Sequence, residues 1–303
     1  MRGVADWTFD GTWPFEPTWF ESAEGRMHYV DAGPRDGRPV VLVHGNPTWG
    51  YLYREFIPAL VAAGNRAVVP DHLGFGRSEK PPAPELYRAP CHARRLEALL
   101  DSLDLRAAVV VAHDWGGPTG LFWATQHPDR VDGLFLINTL AHRFRRGMLA
   151  PLPLPLRLFR TPGIGELLVQ GLDAFKPLVF GVGIERRERL TPAIRRAYRD
   201  VHSNWSQRAA MLVLARELPI RAGGPVDEMN GGIEALLRDH FRASPVQIVW
   251  GMRERVLSPT SINLWLDTLP DAKVARIDGA GHFVQEDAHE RVVPVLTRFV
   301  SEL

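Results

Sequence analysis

The sequence predicts an α/β fold in which a mostly parallel sheet is covered by helices on both faces. Short runs of small and β-branched apolar residues, typical of strands buried on both sides, recur along the chain. Segments with helical spacing separate these runs, as in a parallel sheet. One stretch near the middle lacks any strand pattern and indicates a helical insertion. The 303 residues suffice for one large domain with a smaller insert.

The first part of the chain begins with an antiparallel hairpin. Residues 19–21 and 26–31 alternate in polarity around Gly25, as paired strands do. Before it, the aromatic residues Trp7, Phe9, Trp13 and Phe15 are expected to lie over the outside of the core. Buried strands are then predicted at 39–44, 67–70, 108–112 and 131–138, with helical segments between them.

The middle and end of the chain set the domain boundaries. From residue 142 to about 218, prolines punctuate short helical patterns such as 164–175 and 192–201. Strand runs return at 245–250 and 273–277, and a closing helix is predicted at 290–299. We therefore expect residues 1–140 and 219–303 to form the main domain and 141–218 to form a helical cap.

Composition excludes several classes of partner. The 36 basic and 35 acidic residues give a net charge of +1 without a long run of one sign, so nucleic acid is not expected. The single cysteine, Cys91, excludes a disulfide framework and a cysteine-based metal site. Residues 1–6 show no signal-peptide pattern, and the most apolar later segment, 167–184, is interrupted by charges and Pro177, so no membrane span is expected. The default location is the cytoplasm, and the oligomeric state stays open.

The strand at 108–112 leads into the residues that suggest chemistry. His113, Asp114, Trp115 and two glycines follow it, and a helix then starts with Pro118 near its first turn. A strand, a tight turn and a helix form the geometry of a nucleophile elbow, in which the exposed side chain is commonly a serine. A carboxylate there stays ionised and can attack a saturated carbon, which makes an ester between protein and substrate. Asp114 as a simple helix N-cap is the alternative.

An ester on Asp114 needs a base that activates water, and histidine is the usual one. His282 follows the last predicted strand among glycines, so its loop is expected at the same edge of the sheet as Asp114. A triad acid between the two in sequence is Glu254, which follows the strand at 245–250. The alternatives are a turn histidine and a solvated glutamate beside arginines.

Asn46 and Trp115 are candidates for binding negative charge. The loop that carries Asn46 is expected to face the elbow, so the backbone N–H groups of both residues can stabilise an oxyanion. Their side chains add an amide NH₂ and an indole N–H, which suit a released halide ion. A turn asparagine and a core tryptophan are the alternatives.

Four motifs carry a family resemblance. They are HGNPTW from His44, DHLGFGRSEKP from Asp71, HDWGG from His113 and GHFVQED from Gly281. Together they resemble the haloalkane dehalogenases of the α/β-hydrolase superfamily over the whole main domain, and 141–218 is more loosely similar. The resemblance implies the α/β-hydrolase fold, with a mostly parallel eight-stranded sheet covered by helices on both faces and an inserted helical cap.

The same resemblance implies a mechanism and its residues. Asp114 is then the nucleophile, His282 the base, and Asn46 with Trp115 the halide-binding pair, with no cofactor and no metal. Some members carry the acid after the sixth strand, where this chain has Asn138, which cannot serve. The resemblance is to the subgroup with the acid after the seventh strand, where aspartate is usual, so Glu254 is a departure by one methylene. Glu286 and Asp287 are fallback acids.

Three alternative functions remain open at this stage. Bacterial β-lactone decarboxylases of olefin biosynthesis are similar in the same residues and in the segment from Arg196 to Arg208, so the substrate is a small apolar halogenated compound or a lactone. Epoxide hydrolases have a different pattern, with an aromatic residue in place of Asn46 and two cap tyrosines. In this chain, Tyr198 is the only tyrosine of the predicted cap. A receptor or scaffold without catalysis is the third alternative.

Overall fold

The computed structural model describes residues 6–149, 151, 154–257 and 261–303. Its centre is an eight-stranded sheet with the strand order β1-β2-β4-β3-β5-β6-β7-β8. The pairs β1/β2 and β2/β4 are antiparallel, and the remaining neighbours are parallel. The strands are β1 (Thr18–Ser22), β2 (Gly25–Ala32), β3 (Pro39–Val43), β4 (Arg66–Pro70), β5 (Ala108–Asp114), β6 (Val131–Thr139), β7 (Val246–Gly251) and β8 (Lys273–Ile277). The predicted fold class is confirmed.

Burial explains why the apolar runs became the inner strands. All five residues of β4 and all six of β7 are buried, as expected for strands covered on both faces. β1 instead alternates between exposed and half-buried residues, because it lies at the sheet edge. The sequence pattern therefore distinguished the centre of the sheet from its edge.

Ten α-helices flank the sheet or follow it among the described residues. They are α1 (Phe56–Ala62), α2 (Ala89–Ser102), α3 (Gly116–Gln126), α4 (Leu154–Phe159), α5 (Phe175–Gly183), α6 (Pro192–Arg199), α7 (Ala209–Glu217), α8 (Pro225–His240), α9 (Ser261–Thr268) and α10 (Val284–Ser301). A π-helical turn occupies Glu166–Gly171. The described part of 141–218 contains α4 to α7 and none of the eight sheet strands; positions 150 and 152–153 of the predicted cap lie outside the described residues.

The structure differs from the predicted elements at three places. A kink at the non-helical Ala288 divides α10, and the helix after the kink agrees with the predicted 290–299; the unpredicted part is a first turn from Val284 with Glu286 and Asp287, where acidic side chains favour a helix N-terminus. Helices α8 and α9 were not predicted. Phe9 and Trp13, expected over the outside of the core, are themselves buried, because both rings pack on Trp49.

Candidate active site

Asp114 is the last residue of β5, and the chain turns there into α3. Its φ of 51° lies in the left-handed region, which costs about 1–3 kcal/mol for a residue other than glycine. A register shift after His113 brings Asp114 opposite Thr139 of β6, and the Thr139 hydroxyl donates to the Asp114 carbonyl at 2.6 Å. The strained turn expected of an elbow is therefore present, at the carboxyl edge of the sheet.

Two glycines make this turn possible by leaving out a side chain. A Cβ at Gly45 would overlap the Asp114 carboxylate, and a Cβ at Gly116 would overlap the Val43 carbonyl. The absence of these atoms lets the Asn46 loop and the start of α3 approach Asp114 closely.

The Asp114 carboxylate has a different partner on each oxygen. The backbone N–H of Asn46 donates to Oδ1 at 2.7 Å, and Nε2 of His282 lies 3.4 Å from Oδ2. Burial raises the pKa of this carboxyl, but His282 and the Asn46 N–H outweigh it, so the net pKa lies below its usual value. Asp114 is therefore ionised at neutral pH, as a nucleophile must be.

His282 lies between two carboxylates in a buried position. Its Nδ1 is 2.6 Å from Oε2 of Glu254, opposite the nitrogen that faces Asp114. Burial lowers the pKa of the imidazole, but Glu254 and Asp114 outweigh it and raise the pKa to about 10. The Nε2 of His113 bonds the His282 carbonyl at 2.9 Å, which fixes the backbone of this loop. The two carboxylates thus favour the protonated form of His282 in the free protein.

Glu254 reaches His282 in spite of its extra methylene. Its Oε1 accepts the backbone N–H groups of Val256 and Leu257 at 2.6 and 3.2 Å. Its Oε2 accepts from Nδ2 of Asn138 at 2.6 Å, beside the bond to His282. Burial raises the pKa of Glu254, but His282 and these donors lower it further, so the net shift is downward. Glu254 is positioned to orient His282.

The two fallback acids have other partners. Glu286 forms a bidentate ion pair with Arg54, at 2.6 and 2.7 Å, and accepts from the Tyr198 hydroxyl. Asp287 accepts backbone N–H groups of Gly281, Glu185 and Arg186 at 2.7, 3.0 and 2.8 Å. Both carboxylates therefore connect the His282 loop and α10 to neighbouring segments rather than facing the imidazole.

Asn46 and Trp115 both line the space beside Asp114. The Asn46 backbone N–H donates to Oδ1 of Asp114, so it points at the carboxylate as an oxyanion donor is expected to do. The Asn46 Nδ2 donates to the Met211 carbonyl at 3.1 Å. An amide NH₂ has two hydrogens, so one donor of Asn46 stays available for an anion.

Two mostly apolar cavities meet at Asp114. The larger, of about 60 Å³, reaches His282 and is walled by α4, α5 and α7 side chains such as Leu156 and Val179. The smaller, of about 30 Å³, extends toward Met148 and Leu257. Asp114 and Trp115 line both cavities, as does Leu218. Space for substrate therefore extends in two directions from Asp114.

Residues 38–289 match a family model described as alpha/beta hydrolase fold. The chain belongs to the α/β-hydrolase family. Among curated α/β-hydrolases, a cis-3-alkyl-4-alkyloxetan-2-one decarboxylase of Shewanella oneidensis is 33% identical, over 95% of this chain and 89% of its own length. Haloalkane dehalogenase 2 of Mycobacterium tuberculosis is 34% identical over 95% of this chain and 96% of its own. The resemblance that the motifs indicated is confirmed.

Solved structures agree with this family. The crystal structure of haloalkane dehalogenase DbeA from Bradyrhizobium elkani superposes with a TM-score of 0.85 at 29% identity, covering 95% of this chain and 98% of that chain. This α/β-hydrolase therefore shares its fold with dehalogenases along nearly its whole length.

The sequence did not predict the contacts of two residues that support the site. Asn138 bonds Glu254 through Nδ2 and accepts the Gly251 N–H at 2.8 Å through Oδ1, which joins β6 to β7 at the acid. His113 holds the His282 backbone. Both are polar residues at the carboxyl end of a buried strand, and that placement was the signal available in the sequence.

One group of possible metal ligands occurs among the described residues, apart from the site above. Ligand atoms of Glu97, Asp101 and His127 lie within 4.8 Å of one another. The Arg130 guanidinium donates to Asp101 at 3.0 Å and supplies positive charge there already. Across the described ranges, no helix has both the length and the apolar character needed to cross a bilayer.

Proposed function

We propose that this α/β-hydrolase is a haloalkane dehalogenase that hydrolyses a carbon–halogen bond through an ester on Asp114. The observation that carries the proposal is His282, held between Asp114 and the buried Glu254. If Asp114 only capped a helix, a base at this position would have no function. The relay is suited to hydrolysis of an ester that forms on the neighbouring carboxylate.

In the first step, Oδ2 of Asp114 attacks the carbon that bears the halogen. The new C–O bond forms as the carbon–halogen bond breaks, and the halide leaves with the bonding electron pair. Asn46 and Trp115 supply N–H donors for that anion, and the apolar walls exclude water from the attacking carboxylate. The product of this step is an alkyl ester of Asp114 and a halide ion.

In the second step, His282 removes a proton from water, and the hydroxide attacks the ester carbonyl carbon. Esterification removes the negative charge of Asp114 and so lowers the pKa of His282, and the proton of the resting imidazolium passes to solvent before the imidazole takes one from water. The Asn46 N–H stabilises the charge that builds on Oδ1. Collapse of the intermediate breaks the bond to the alkoxide, which takes the proton of the new Asp114 carboxyl group, so the alcohol is released, the carboxylate is restored and His282 keeps the proton that it took from water.

The test is a panel of brominated and chlorinated alkanes, assayed for halide and alcohol. We expect release of both in equal amounts by the wild-type protein and none above background by Asp114→Ala. Alcohol without an equivalent of halide, or release by Asp114→Ala, contradicts the proposal.

A second candidate, β-lactone decarboxylation, is favoured by the two cavities that diverge from Asp114. A cis-3-alkyl-4-alkyloxetan-2-one has two alkyl arms, one for each cavity, and relatives with this activity are 33–34% identical. Asp114 would attack the ring carbon that bears the ring oxygen, and the bond between them would break, which frees the substrate's own carboxylate and leaves an ester on Asp114. The C–C bond to the substrate carboxylate then breaks and supplies the electrons of the C=C bond. Carbon dioxide leaves, and the Asp114 carboxylate is expelled.

The lyase reaction consumes no water and gives no alcohol, so its products distinguish it from dehalogenation. Incubation with a cis-β-lactone would give equal amounts of olefin and carbon dioxide if this candidate is correct. A β-hydroxy acid as the product indicates simple hydrolysis and contradicts it.

A further inference from the structure

Arg160 lies at the boundary between two spaces. Its side chain lines the larger active-site cavity together with Asp114, Asn46 and His282. It also lines an outer cavity of about 270 Å³, whose other basic residues are Arg88, Arg216 and Arg221. We call this outer space the arginine basin. A molecule in the arginine basin can therefore contact Arg160 and at the same time extend into the active-site cavity.

The carboxylates in and beside the arginine basin are already bonded elsewhere. Glu217 accepts from Arg88 and from the Ala89 N–H at 2.8 and 2.6 Å. Glu166 receives both Nη groups of Arg216 at 2.7 Å each. Asp227 accepts the N–H groups of Phe144 and Gly223.

Arg160 itself has no carboxylate partner among the described residues. Its Nη1 donates to the Ala215 carbonyl at 2.6 Å. Positions 1–5, 150, 152–153 and 258–260, outside the description, contain no aspartate or glutamate in the sequence. Burial and the neighbouring charges of Arg221 and Arg216 lower the pKa of Arg160, so its environment disfavours the cation. An anion at this point would relieve that unfavourable charge.

We propose that the preferred substrates carry a carboxylate distal to the reacting carbon, and that Arg160 binds this carboxylate and determines specificity. A guanidinium presents paired N–H donors that match the two oxygens of a carboxylate. The carboxylate would remain at Arg160 while the halogenated end of the chain extends through the apolar cavity to Asp114. This inference rests on the proposed dehalogenase function and narrows its substrate class to halogenated carboxylic acids.

The first experiment compares 6-bromohexanoate with the neutral 6-bromohexanamide. We expect the wild-type protein to prefer the carboxylate by about tenfold or more in kcat/KM, as for a charge-assisted hydrogen bond. In Arg160→Gln the ratio between the two substrates should fall to about one, whereas Arg160→Lys should keep part of it because the charge remains. The control Arg106→Gln removes an exposed arginine that lines neither cavity and should keep the wild-type ratio.

A second experiment separates this inference from the proposed function. Isothermal titration calorimetry with hexanoate and hexanamide needs no turnover, and circular dichroism verifies that each variant is folded. If the wild-type protein binds hexanoate more tightly than hexanamide and Arg160→Gln loses this difference, the inference is supported even if neither brominated substrate reacts. Equal binding of hexanoate and hexanamide by the wild-type protein overturns the inference. It is also overturned if Arg160→Gln changes only the inhibition by bromide ion.

Discussion

At the scale of single residues, the resting charge of His282 follows from the two carboxylates that flank it. Glu254 and Asp114 raise the pKa of the imidazole to about 10, which favours its protonated form in the free protein. Alkylation of Asp114 removes one of those charges and lowers the pKa. In the proposed mechanism, loss of the Asp114 charge therefore favours the neutral imidazole at the step that needs a base, although the charge of Glu254 still favours the imidazolium.

Replacing His282 should separate the two steps. We expect His282→Gln to react once with a good alkyl bromide and then stop, because the ester forms without a base but needs one for hydrolysis. Intact-protein mass spectrometry should find a mass increase equal to the alkyl group. Asp114→Asn/His282→Gln is the control and should keep its original mass. Continued turnover by His282→Gln with an unmodified mass would contradict the scheme.

Glu254 and Asn138 should act on hydrolysis rather than on alkylation. Glu254→Gln removes the charge that stabilises the imidazolium and should slow ester hydrolysis by on the order of 10³–10⁴-fold. Asn138→Ala removes one donor to Glu254 and should slow the same step by about tenfold. Rapid-quench measurement of alkylation and hydrolysis separates the two rates. If alkylation slows as much as hydrolysis, the two residues are not positioning His282, and hydrolysis at the wild-type rate in Glu254→Gln would exclude it as the acid.

The sequence allowed some of these residues to be identified, and the reason is the sheet. Asp114, Glu254 and His282 each follow a strand pattern, and the carboxyl ends of parallel strands share an edge, so their proximity was predictable. The bond from Asn138 to Glu254 and the position of Arg160 were not. Each depends on side chains from separate segments meeting at a distance that no local pattern encodes.

At the scale of elements, the strands were easier to predict than the helices. An inner strand is mostly apolar because both faces are buried, and β4, β5 and β7 are apolar and buried over most of their length. The first turn of α10 was not predicted, because it has acidic residues instead of an apolar stripe and is separated from the rest of the helix by the non-helical Ala288. That first turn contacts the cap segment and the His282 loop, so tertiary contacts rather than helical periodicity determine it.

The tight packing of α3 on β6 gives a test at this scale. A Cβ at Gly117 would overlap the Thr139 hydroxyl, whereas a Cβ at Gly232 in α8 would meet no atom within 4 Å. We expect Gly117→Ala to lower the free energy of unfolding by about 1–3 kcal/mol through overpacking. Gly232→Ala should raise it by up to about 1 kcal/mol, because alanine favours a helix. Urea denaturation followed by circular dichroism measures both, and equal effects would contradict the packing argument.

At the scale of the whole molecule, the cap segment, the predicted cap at 141–218, contacts the rest of the chain beside the proposed base. Glu286 lies in the first turn of α10 and binds Arg54 of the main domain and Tyr198 of α6 at the same time. Asp287 adds the backbone of Glu185 and Arg186. Both carboxylates are within five residues of His282. The attachment of the cap segment and the position of the imidazole therefore depend on the same turn of helix.

This junction predicts a non-additive effect of mutations. Arg54 and Glu286 are both buried, so Arg54→Met leaves an unpaired carboxylate in the interior and should cost about 3–5 kcal/mol in the free energy of unfolding. Arg54→Met/Glu286→Leu replaces both charges by apolar groups and should be more stable than Arg54→Met alone, because no buried charge is then left without a partner. Urea denaturation of the two single variants and the double variant gives the coupling free energy. Additive losses would mean that the pair is not coupled, and the junction would then depend on the Asp287 contacts and on apolar packing.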